Sequence, residues 1–217
     1  MTRKFSNVQK VIAASVSFTM LLLIVRIFLT GTDIYLFYPW NIFLGALPIF
    51  FSNKLFKKHT FDFKAVILLS CWLLILPNAP YLVTDIFHFE ERPPVPYWYD
   101  MLIVVTGAWN GMLMFIISLM QVEKYLSRIM QKRWLNFSMV VLLFLSGYGI
   151  YLGRYLRYNS WDIITKPATI ASNSFNQVLH PFHNTSLWAF TFLFSSFLCL
   201  VYFSIKMLQP QKLKVRK

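Results

Sequence analysis

The chain has 217 residues, of which 57% are hydrophobic and only 13% charged, too little polar surface to clothe a domain in water. Its formal net charge of +13 is gathered between long apolar blocks. That pattern marks the loops of a membrane protein, not a nucleic-acid surface, and no nucleic-acid partner is expected.

In chain order the apolar blocks cover residues 11–29, 35–51, 64–83, 99–120, 136–155 and 186–207. Several approach the roughly 20 residues needed to cross about 30 Å of hydrocarbon, and none has the three-to-four spacing of an amphipathic helix. The expected fold is all-α, a polytopic transmembrane bundle of about six spans forming one domain over 1–217. The second block is short and carries Pro39 and Pro48, so a re-entrant hairpin is its alternative. The first contains Arg26 and precedes no small-residue cleavage site, which reads as a retained span.

Basic residues resist translocation and so mark the cytoplasmic side. Most of the 21 fall into alternate segments: Arg3, Lys4 and Lys10; then Lys54, Lys57, Lys58 and Lys64; then Lys124, Arg128, Lys132 and Arg133; then Lys206, Lys212, Lys214, Arg216 and Lys217. The intervening segments keep Arg92, Arg154, Arg157 and Lys166, together with Asp33, Asp85, Glu90, Glu91, Asp100 and Asp162. A miscounted span would invert this pattern in every later loop, so the bias predicts an even number of spans with both termini cytoplasmic. Anionic lipid headgroups are the expected partners of the basic tail, and protein partners stay unspecified. Tyr and Trp near the block ends, such as Tyr35, Trp40, Trp98 and Trp188, suit an interfacial belt. Cys71 and Cys199 lie inside spans and read as packing residues, not as a disulfide.

Three polar stretches converge on the extracytoplasmic ends of the third, fourth and fifth spans. The first runs from Leu76 to Glu90 and includes Pro77, Asn78, Pro80, Tyr81, Thr84, Asp85 and His88. Two prolines three apart should break the helix and leave carbonyls that Asn78, Thr84 or water must satisfy. If helix resumes after Pro80, Asp85 and His88 share a face and can hold a proton, which makes them the candidate catalytic pair. The second stretch places Asp100 ahead of Gly107, Asn110 and Gly111, where close helix packing is the expected role of the glycines. The third, from Gly147 to Asp162, ends in Arg154, Arg157, Asn159, Trp161 and Asp162. Helical spacing would set Arg154 and Arg157 on one face, either paired with an acid such as Asp85 or Asp162, or gripping a phosphate or carboxylate of a substrate. With Asn78 and Tyr81 these residues form the candidate substrate-binding set.

Farther on, Thr165-Lys166-Pro167 reads as a helix start, with Ile170, Ser174, Phe175, Val178 and Leu179 on a short surface helix that ends at His180-Pro181. His180 and His183 could join His88 and Asp85 around a zinc ion. Pro181 between them disfavours a regular helical pair, and no metal site is expected. No zincin, nucleophile-elbow, Walker or dinucleotide fingerprint occurs, and the cofactor stays unknown.

The runs Leu76 to His88, Asp100 with Trp109-Asn110-Gly111, and Tyr151 to Asp162 resemble those of a bacterial membrane-protein family, domain of unknown function 1361, from the second helix onward. The resemblance implies a bacterial plasma membrane and a multi-pass protein, and it brings no activity with it. Three readings of function follow: an envelope or lipid-modifying enzyme with its site on the outer face, a non-catalytic scaffold or accessory subunit in which the same charges clamp helices, and a small transporter component.

Overall fold

A computed structural model describes residues 2–208; the tail cations Lys212, Lys214, Arg216 and Lys217 lie outside the described residues, as do the side chains of Arg3 and Lys4. Among those residues every regular element is helical: α1 (Thr2–Thr30), α2 (Phe37–Lys57), α3 (Phe63–Ile75), α4 (Asn78–Tyr81), a tighter 3-10 segment (Leu82–His88), α5 (Tyr97–Leu126), α6 (Lys132–Arg154), α7 (Asp162–Thr165), α8 (Pro167–Leu179), a 3-10 turn (Pro181–Asn184) and α9 (Thr185–Leu208). This is an all-α bundle.

Among the described residues five segments are long and apolar enough to cross a membrane: Asn7–Thr30, Phe63–His88, Tyr97–Leu126, Lys132–Arg154 and Pro181–Leu208. The expected second span, α2, has a spanning length of 21 residues but falls short in apolar content. Two of its polar side chains, Asn41 and Ser52, point into the bundle. Asn41 donates to the Asp85 carboxylate at 3.1 Å, and Ser52 donates to Gln121 of α5 at 2.7 Å. A helix surrounded by protein on the face of Tyr38, Ile42, Gly45, Pro48, Ser52 and Leu55 depends less on lipid-soluble side chains than a peripheral one.

Central to the bundle is α5, which binds each of the first three helices through a buried polar pair. Arg26 and Asn110 tie it to α1, Ser52 and Gln121 tie it to α2, Trp72 and Ser118 tie it to α3 at 2.7 Å, and Tyr125 also reaches the Thr60 carbonyl of the α2–α3 loop at 3.0 Å. These pairs also fix direction. Arg26 meets Asp100 while Thr19 meets Asn110, so α1 runs antiparallel to α5; Tyr38 lies on Gly107 while Ser52 meets Gln121, so α2 runs parallel to it. The third segment runs back, α6 runs beside it in the same direction, and α9 returns along α6 with Ser195 Oγ donating to the Phe144 carbonyl. Lys206 near the end of α9 pairs with Glu123 near the end of α5. Long helical segments thus alternate in direction, and the start of α1 and the end of α9 come to the same end of the bundle. That end carries Lys54, Lys57, Lys58, Lys64, Lys124, Arg128, Lys132 and Arg133.

Candidate functional site

At the opposite end the path of the chain is set by Pro77 and Pro80. α3 stops at Ile75, α4 makes one turn, and the backbone then tightens to three residues per turn over Leu82–His88. Polar side chains satisfy the disturbed carbonyls, as expected from the sequence: Asn78 Nδ2 donates to Ile75 O at 3.0 Å, and Thr84 Oγ1 donates to Tyr81 O at 2.6 Å. The second Asn78 donor goes to Ser160 Oγ at 2.9 Å, which ties the break to the loop after α6.

Close approach of neighbouring helices holds this broken segment. A methyl group on Gly111 of α5 would stand 2.3 Å from the Ala79 carbonyl oxygen, and one on Gly149 of α6 would stand 2.6 Å from the Pro77 ring. Only hydrogen fits at either place. The small-residue packing expected of Gly107 and Gly111 is therefore directed at Tyr38 and at the helix break.

In three-per-turn geometry residues i and i+3 eclipse, so Asp85 and His88 project together toward the last residue of α6. There the Arg154 guanidinium spreads its donors: Nη2 to Asp85 Oδ1 at 2.5 Å, Nε to Thr84 Oγ1 at 2.9 Å, and Nη1 to His88 Nε2 at 2.8 Å, with its carbon 4.1 Å from the centre of the Tyr81 ring. A guanidinium only donates, so His88 Nε2 is the acceptor in this contact. Asn41 occupies the second Asp85 oxygen. Asp85, 1% exposed, is thus consumed by its partners, whereas His88 is exposed.

The expected common face of Arg154 and Arg157 does not form. α6 ends at Arg154, and Arg157 follows in a left-handed conformation with φ 57°, which turns the chain so that Tyr158 N–H reaches Leu152 O at 3.1 Å. Arg157 is exposed and has no hydrogen bond or ion pair among the described residues. The other expected acids are also placed. Asp100 pairs with Arg26, Glu90 pairs with Arg92 at 2.8 Å, and Asp162 folds the loop on itself, accepting Asn159 N–H at 2.7 Å and the Thr165 hydroxyl at 3.2 Å. The Asn159 N–H holds the Asp162 carboxyl below the usual carboxylate range, against the opposing pull of desolvation.

Between α2, the α3–α4 segment and α6 opens a pocket of about 750 Å³. Of the candidate residues it takes in Asn78, Tyr81, His88, Arg154, Arg157, Asn159 and Trp161; Asp85 and Asp162 stand behind its wall, one holding Arg154 and the other the loop. Its deeper wall is apolar, with Leu44, Leu73, Leu74 and Leu145, and Ile163 and Ile170 cover it from α7 and α8. Trp40 and Asn41 of α2 were not among the expected site residues. An asparagine early in an apolar helix was the available signal, since such a group seeks a polar partner inside the bundle.

The His180 and His183 rings face each other, with centres 5.9 Å apart, and no hydrogen bond or ring contact among the described residues joins them to His88. No group of three or more His, Cys, Asp or Glu side chains suited to a metal occurs among the described residues. α8 forms where expected, with Pro167 in its first turn, and docks on α6 through the Tyr148 hydroxyl, which donates to Gln177 Oε1 at 2.7 Å.

No curated protein and no solved structure matches the chain. The family described as "Protein of unknown function (DUF1361)" matches residues 40–201, a stretch that begins at the α2 wall of the pocket and contains the helix break, the Arg154 cluster and the loop of Asp162. With most of its length inside that match and several membrane-spanning helices, this chain is a multi-pass membrane protein that belongs to the DUF1361 family.

Proposed function

We propose that the protein is an envelope enzyme of a bacterial plasma membrane, with both termini in the cytoplasm and the pocket on the extracytoplasmic face, acting on an anionic substrate. The orientation follows from the lysine-rich opposite end. One observation carries the chemistry: an exposed histidine whose Nε2 faces the Arg154 guanidinium stands in a pocket that also holds an unpaired arginine. Arg157 neutralises a phosphate or carboxylate at the mouth. His88 Nε2 exchanges its bond from Arg154 for a substrate proton, and Arg154 then stabilises the anion that forms. Asp85 is a positioning residue in this scheme, because its oxygens are committed to Arg154 and Asn41.

A scaffold reading draws on the same commitments, since Asp85, Asn78 and Asp162 are all satisfied inside the protein. Complementation separates the two. In a strain lacking the chain, wild type should restore the envelope lipid and glycolipid profile seen by mass spectrometry, while His88→Ala and Arg157→Ala at equal membrane abundance should not. An unchanged profile on deletion would remove the enzyme reading, and full restoration by both variants would favour the scaffold.

A further inference from the structure

The pocket's shape says more about its occupant than its charge does. Its cations are at one level, with Arg154 closing α6 and Arg157 just beyond. Its leucines are at another. Leu145 lies nine residues before Arg154 on the same helix, about 13 Å of helical rise, which is close to half of a 30 Å hydrocarbon layer. A soluble anion would have no use for an apolar slot of that depth. Leu74, Leu145 and Trp40 are also exposed while lining it, so the slot is open sideways at the level of the membrane-spanning helices α3 and α6. At the mouth Arg157 stands exposed and without a hydrogen bond or ion pair among the described residues, on backbone in the left-handed conformation that an arginine seldom adopts.

We infer that the pocket binds one anionic phospholipid of the adjacent leaflet, which enters sideways between α2 and α6, its headgroup phosphate on Arg157 and the upper part of an acyl chain along Leu44, Leu74 and Leu145. The volume of about 750 Å³ holds a headgroup and part of one chain, and the remainder stays in the bilayer. Trp161 and Tyr158 at the rim suit the interfacial layer where the glycerol backbone lies. This inference rests on the site proposed above but not on any reaction there.

The full chain in nanodiscs of phosphatidylcholine doped with phosphatidylglycerol, or with diacylglycerol as the phosphate-free counterpart, provides the test. After transfer to detergent, native mass spectrometry counts retained lipid. Wild type should keep one phosphatidylglycerol in preference to phosphatidylcholine and diacylglycerol. Arg157→Ala should lower that retention about tenfold, the effect of one charge-assisted bond of roughly 1.5 kcal/mol, and Arg157→Lys should recover part of it. Leu74→Trp, which fills the slot without touching the cations, should lower it as well. His88→Ala should leave it in place, so that a failure of the catalytic scheme is told apart from a failure of lipid binding. Equal retention of all three lipids, or indifference to both Arg157→Ala and Leu74→Trp in chains with wild-type melting temperature, would overturn the inference. So would inorganic phosphate that displaces the lipid at equal concentration and binds the Leu74→Trp chain undiminished, since the site would then serve a soluble anion.

Discussion

Arg26 and Arg154 meet the same electrostatic demand, a cation near the end of an apolar helix, with the same device. Each lies against one carboxylate and spends its other donors on threonine or histidine, and each guanidinium covers a tyrosine ring, Tyr35 at 5.0 Å and Tyr81 at 4.1 Å. Arg26 has no solvent to fall back on. It and Asp100 are 2% exposed, and their two bonds measure 2.6 and 3.0 Å. Removing either partner leaves a buried charge unmatched, which costs about 3–5 kcal/mol, whereas replacing both with apolar residues of similar volume is often neutral. Arg26→Met and Asp100→Leu alone should therefore each lower the melting temperature of the detergent-solubilised protein sharply, and the double variant should regain most of the loss. A double variant as unstable as the sum of the singles would mean that the residues do not act as a pair.

At the scale of the element, the break at Pro77 and Pro80 organises the site, and it was readable because proline's missing donor acts locally. Asn78 and Thr84 also act within four residues of themselves, so their satisfaction of carbonyls followed from the same run of sequence. The pairing of helices was not local. Nothing in the α1 sequence points to Asp100, and the joint face of Arg154 and Arg157 failed because α6 ends at Arg154, where its apolar pattern also stops, and lacks the further turn that would carry it to Arg157. Glycine at 111 is where the break becomes sensitive to its neighbour. Alanine would gain about 1 kcal/mol of helix propensity in α5, but its methyl would meet the Ala79 carbonyl oxygen at 2.3 Å, and that oxygen belongs to backbone fixed by the prolines. Overpacking of this kind costs roughly 1–3 kcal/mol, and a clash at 2.3 Å with backbone, which cannot swing aside as a side chain does, falls at the upper end, so Gly111→Ala should lose about 2 kcal/mol on balance. At Gly31 the same methyl meets nothing within 4 Å, and the cost is only that of a φ of +64°, about 1 kcal/mol. Thermal melts of the two variants side by side should rank Gly111→Ala as the more harmful; the reverse order would mean that the break yields to its neighbours.

For the whole molecule, the apolar blocks and their charges made the helical bundle legible, because a bilayer imposes one length and one solvent on every span. The helix least legible on those terms is α2, which substitutes buried contacts with α4 and α5 for lipid-soluble surface. Its 21 residues rise about 31 Å, enough to cross the hydrocarbon. Gly45 lies against the Ala79 backbone and Leu82, and Ser52 meets Gln121, so it packs beside α5 along much of that length. If α2 crosses, the loop at Asp33 and the loop at His59 lie on opposite sides of the membrane; if it re-enters, they lie on one side. In a chain with Cys71→Ser and Cys199→Ser, a membrane-impermeant maleimide should label Asp33→Cys and Glu91→Cys in intact cells. His59→Cys and Ser127→Cys should react only after permeabilisation, since their loops carry the basic residues that stay inside. All four positions lie in exposed segments, so accessibility is decided by the membrane alone. Labelling of Asp33→Cys and His59→Cys from the same side would reduce α2 to a re-entrant helix and place the start of α1 on the side opposite to the end of α9.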